Sequence, residues 1–151
     1  MSMSNSYQKG KQLIIGIILG ILTYWLFAQS LLNIAPHVQH DYKIDMSVVN
    51  IAVSLTSLLT GVFIVVAGGL SDKLGRVKMT NIGLILSIIG SLALIISNMP
   101  ILLLTGRVLQ GLSAACLLPS TIALINQFFT GEERQKALSF WSFGSYGGTG
   151  L

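Results

Sequence analysis

Long apolar runs separated by short polar clusters organise this chain. The runs cover about 13–33, 47–69, 79–97 and 101–128, and a fifth begins near residue 137 and reaches 151. A helix needs about 20 consecutive apolar residues to cross a hydrocarbon core of about 30 Å, so each of the first four runs is long enough to span. Lipid offers no hydrogen bonds to the backbone, and runs this continuous lack the alternation of barrel strands. The pattern therefore predicts an all-α integral membrane fold with four full transmembrane helices and a truncated fifth, the chain being cut inside that last helix. Between the runs, Pro36 and the polar stretch 37–45 supply one turn, and Asn98, Met99 and Pro100 the tightest. Ser71 to Lys78 and Thr130 to Lys136 read as charged loops.

Composition narrows this further. Of 151 residues, 52% are hydrophobic and 9% charged, against roughly 25% charged in an average soluble domain, which excludes a water-soluble fold. Residues 1–12 are polar and precede an apolar run too long for a signal peptide, so they read as a cytoplasmic tail ahead of a retained first span. Lys9, Lys11, Lys73, Arg76, Lys78, Arg134 and Lys136 fall on one side of the membrane if each run crosses once, and Lys43 falls on the other. The positive-inside rule then places the N-terminus in the cytoplasm of a multi-pass plasma-membrane protein, with membrane lipid as its surroundings. This distribution is topological and carries no nucleic-acid patch. Cys116 lies alone in an apolar run and reads as a small buried hydrophobe, while His37 and His40 read as solvated loop residues. No metal-ligand spacing, nucleotide loop or Ser-His-Asp arrangement occurs, so no catalysis, metal or cofactor is expected.

Two clusters are more specific. The first reads Gly68, Gly69, Leu70, Ser71, Asp72, Lys73, Leu74, Gly75, Arg76, Val77, Lys78. Here Gly68 permits close helix approach, Gly75 a tight turn, and Asp72 and Arg76 are spaced to pair across it. It resembles the signature between helices two and three of the major facilitator superfamily, with Val77 where a second basic residue is usual. The resemblance implies a conformational latch at Gly68, Asp72, Gly75 and Arg76, and places residues 13–151 in helices one to five of the family's N-terminal bundle.

The second cluster is Leu103, Arg107, Gln110, Gly111, Ala114 and Ala115, and it resembles the family's helix-four motif, with Ser113 at a small-residue position. An arginine at the centre of a span costs about 2.5 to 3.5 kcal/mol on insertion scales, so Arg107 should face a cavity or a partner; the alternative is snorkelling to the nearby interface. Arg107 and Gln110 share a face one turn apart, and Gly111 with the alanines makes a packing face. In the family this arginine is linked to proton coupling through an acidic residue in helix one. Here Ala28 stands at that position, and Asp41, Asp45, Asp72, Glu132 and Glu133 all fall between spans. The segment Phe27, Ala28, Gln29, Ser30, with Val49 to Val53 and Gly111 to Cys116, resembles the NorB-type quinolone efflux pumps of Gram-positive bacteria, in the 14-helix branch of the family.

Polar stripes suggest a substrate face. Trp25, Gln29 and Asn33 recur at helical spacing on helix one, and Asn50, Ser54, Ser57 and Gly61 on helix two, where packing between helices explains them equally well. Trp25, Gln29 and Asn33 are the candidate contacts for bulky amphipathic drugs. Trp141 to Gly150 partly resembles the glycine-rich antiporter motif of helix five. The implied function is the N-terminal part of a drug exporter working by alternating access, inactive without the remaining helices of the same transporter. The alternative is a small membrane protein that associates with or regulates a full-length transporter.

Overall fold

The computed structural model describes residues 10, 12–28, 45–96 and 99–147. They form five helices: α1 (Gln12–Ala28), α2 (Met46–Leu74), α3 (Arg76–Ile95), α4 (Pro100–Phe128) and α5 (Gly131–Gly147). No strand occurs among the described residues. At 1.5 Å per residue, the 29 residues of α2 and of α4 extend about 43 Å and the 20 of α3 about 30 Å, so all three are long and apolar enough to cross a membrane.

Helix ends are set by local chemistry more than by where the apolar runs stop. The Asp45 carboxylate caps α2 by accepting the Ser47 backbone N–H at 2.9 Å, an interaction that holds its pKa below the usual carboxylate value. Proline at the first position starts α4, where its missing N–H leaves nothing unpaired. The expected charged loop at 71–78 is not a loop. Ser71, Asp72, Lys73 and Leu74 continue α2, Arg76, Val77 and Lys78 begin α3, and Gly75 alone lies between them with φ +100°. Similarly, the expected loop at 130–136 is mostly helical. Helix α5 starts at Gly131, with Glu132 and Glu133 in its first turn, where negative charge complements the helix dipole.

Helix α4 is the core of the bundle. Thirteen of its residues are buried, against five on α2 and five on α3. Its antiparallel seam with α3 is built on backbone approach. A Cβ on Gly90 would lie 3.0 Å from the Gly106 carbonyl oxygen, and one on Gly83 would lie 2.7 Å from Leu117 Cγ. One turn further, Ser113 Oγ donates to the Gly83 carbonyl at 2.7 Å, and Thr80 Oγ1 to Ser120 Oγ at 3.0 Å. Helix α2 runs parallel to α4 at a constant register: Thr56 Oγ1 donates to the Arg107 carbonyl at 3.2 Å and Thr60 Oγ1 to the Gly111 carbonyl at 3.1 Å. Both α4 carbonyls thus accept a second bond beyond the helical ladder, which joins helices where apolar contact with lipid offers no contrast.

On the other side of α4, Ile17 and Ile21 of α1 pack with Leu124, Ile125 and Ala137. Trp141 of α5 donates its indole N–H to Thr121 Oγ1 at 3.1 Å. The outer face of α2 carries Leu58, Val62, Val65 and Val66, all exposed within this chain and suited to lipid.

Candidate functional site

Two polar centres stand on α4, one at its C-terminal end and one in its N-terminal third. The first is the α2–α3 joint. Gly75 adopts a backbone conformation that L side chains rarely take, so glycine is required there by geometry. Across it, Arg76 Nη2 sits 3.4 Å from Asp72 Oδ1. The same guanidinium reaches α4, with Nη1 donating to the Ala123 carbonyl at 2.8 Å and to Gln127 Oε1 at 3.2 Å. The sequence suggested a pair closed across the turn; the structure adds a tie from that pair to a third helix. Gly68 plays a smaller part than its spacing suggested. A Cβ there would meet Pro119 Cβ at an ordinary 3.7 Å, so close approach does not demand glycine. A groove of about 700 Å³ lies beside the joint, lined by Ser71, Asp72, Gly75, Arg76, Leu124 and Gln127.

The second centre is Arg107. It is 1% exposed, which removes the snorkelling alternative: its head lies inside the bundle and is fixed there. Nη1 donates to the Ala28 carbonyl of α1 at 2.8 Å and to Gln110 Oε1 at 3.0 Å. Gln110, also 1% exposed, is thereby turned with its oxygen toward the arginine. Arg107 Nε and Nη2 and Gln110 Nε2 are buried without a hydrogen-bond partner among the described residues. Gly111 sets how closely α2 approaches this centre. A Cβ on it would stand 2.8 Å from the Thr56 carbonyl oxygen and 3.0 Å from Leu59 Cβ.

Of the three candidate drug contacts, Trp25 alone lies among the described residues. Trp25 is half-buried against the α1–α4–α5 and α1–α3–α4 clusters, edge-on to Tyr24 with ring centroids 5.6 Å apart. Gln29 and Asn33 lie outside the described residues, as do His37 and His40. On α2, Asn50, Ser54, Ser57 and Gly61 are all exposed, so packing within these helices does not account for that stripe. The packed face of α2 carries Ala52, Thr56 and Ala67 instead. Sequence reasoning passed over Thr56 and Thr60, although their four-residue spacing matches that of Arg107 and Gly111, the α4 positions that they bond.

Arg107 is buried and bonds Gln110 on its own face of a helix packed through small residues, the face on which the sequence had put both. The family model of the Major Facilitator Superfamily matches residues 12–151. The chain belongs to this superfamily. It is also similar to the quinolone resistance protein NorB of Staphylococcus aureus, with 53% identity over 146 residues in strain JH9 and the same identity in strains Newman and COL. These matches cover 97% of this chain and 32% of each relative, so the chain spans about a third of the length of the curated relatives it matches. As a member of the superfamily with three membrane-length helices, it is a membrane protein of a transporter family.

Proposed function

We propose that this chain is the N-terminal segment of a plasma-membrane exporter of amphipathic drugs, quinolones among them, with its N-terminus in the cytoplasm. The observation that carries the reading is the 53% identity to NorB along nearly the whole chain. Two features of the bundle support it. The joint at Gly75, with Asp72 and Arg76 tied to α4, suits a latch that holds one conformation and releases it. The polar centre at Arg107, Gln110 and Gly111 suits a functional site in the spans, because a buried cation is costly and is kept where it interacts.

Alternating access rocks one helical bundle against another around a midplane site. Residues 1–151 alone therefore do not transport, and the remaining helices of the same transporter complete the device. The test is export by the full-length transporter that carries these residues, produced in a host lacking its own drug pumps. Cells should accumulate less of a fluorescent quinolone than vector controls, and the difference should vanish when the ion gradients across the membrane are collapsed. Equal accumulation with and without the transporter would sink the reading.

A further inference from the structure

The geometry points to a carboxylate-binding site on the free edge of Arg107, which takes the acid group of a transported compound. The inference rests on the exporter reading and adds a chemical class to it. A guanidinium presents its donors in a fixed planar fork, and here the fork is divided. Nη1 is spent on the Ala28 carbonyl and Gln110 Oε1, whereas Nε and Nη2, which share the opposite edge, have no acceptor among the described residues. That edge offers two parallel N–H groups, the arrangement that matches the two oxygens of a carboxylate. Because Gln110 turns its oxygen to Nη1, its Nε2 is left as a third unused donor on the same face of α4.

Electrostatics points the same way. A buried cation without a counter-charge is unfavourable, and a carboxylate on that edge answers both the charge and the orphaned donors. Among the described residues the acidic side chains are elsewhere: Asp45, Asp72, Glu132 and Glu133 are exposed, with Asp45 capping α2 and Asp72 facing Arg76. The surroundings favour an acid carried on an apolar or aromatic body, since Tyr24, Trp25 and Ala28 of α1 pack with Ala114 and Leu117 of α4. With Arg107 1% exposed, the edge is shut in this conformation, and a compound reaches it when the end of α1 at Ala28 moves away from α4.

The test measures equilibrium binding to the purified full-length transporter of a quinolone acid and its methyl ester. The unaltered transporter should bind the acid at least tenfold more tightly than the ester. Arg107→Lys keeps the charge but loses the fork, and should cut that preference tenfold. Gln110→Leu, which keeps Arg107, should cut it about threefold and covers the case in which Arg107→Lys does not fold. An acid-to-ester ratio near one in the unaltered protein would overturn the proposal. A preference that survives both substitutions would overturn it as well. In either case the exporter reading stands as long as the ester is still exported; if the unaltered transporter binds and exports neither compound, both readings fall.

Discussion

Arg76 and Arg107 are both bonded to α4 or carried on it, and they differ in almost every physical respect. Arg76 sits at the rim with its side chain about a third exposed, and has a carboxylate, a carbonyl and an amide oxygen for partners. Arg107 is sealed in the bundle with two neutral acceptors and two orphaned nitrogens. Solvent screens the first, so its ion pair contributes little to stability while its geometry fixes where α3 begins relative to α4. Nothing screens the second, so it is kept at a cost in stability. On the functions proposed above, a joint that opens and closes would use the screened arginine, and a site that recognises a ligand the unscreened one.

The largest expected effect tests what holds Arg107 in place. Gly111→Leu puts a side chain where backbone atoms of α2 stand 2.8 Å away, forcing α2 off α4 and breaking the Thr60 bond. A loss of about 3 kcal/mol is expected in reversible unfolding of the full-length transporter in bicelles. A loss below about 1 kcal/mol would show that the α2–α4 approach is not fixed at this point.

Next in size is a change of opposite sign. Arg107→Met replaces a desolvated, half-paired cation with an apolar chain of similar reach, and should raise stability in the same assay by about 1–2 kcal/mol, after subtracting the donor lost by the Ala28 carbonyl. Destabilisation would mean that Arg107 is fully compensated in the complete transporter, and the contrast between the two arginines would collapse. The smallest effect belongs to Arg76→Met. Partial exposure discounts its ion pair, so the expected loss is about 1 kcal/mol, seen as faster amide exchange around Gly75 with little change in the melting midpoint. Exchange spreading along the whole of α3 would show that Arg76 holds more than the joint.

How far the sequence foretold this structure depended on the kind of signal. Helices α2, α3 and α4 were legible as apolar runs because bilayer thickness demands them. Their ends were not, since hydropathy marks where lipid stops and not where the helix stops. Asp72 and Lys73 extend α2 beyond the apolar stretch, and Glu132 and Glu133 open α5 from what read as a loop. Gly75 was legible as a turn because only glycine takes its φ readily. For Arg107, the surrounding small residues pointed inward, but no pattern in side chains reveals that its partner is a backbone carbonyl at Ala28. The same blindness hid Thr56, Thr60 and Ser113, whose acceptors are all carbonyl oxygens.

Burial of Arg107, Gln110, Ser113, Ser120 and Thr121 makes α4 the helix least suited to meet lipid alone. Chain order eases that difficulty during synthesis. The ribosome delivers α2 and α3 first, so the hydroxyls of Thr56 and Thr60 and the carbonyl of Gly83 are already in the bilayer when α4 leaves the translocon. Its two earlier neighbours thus offer acceptors and donors to the polar groups of a helix that is otherwise apolar enough to span.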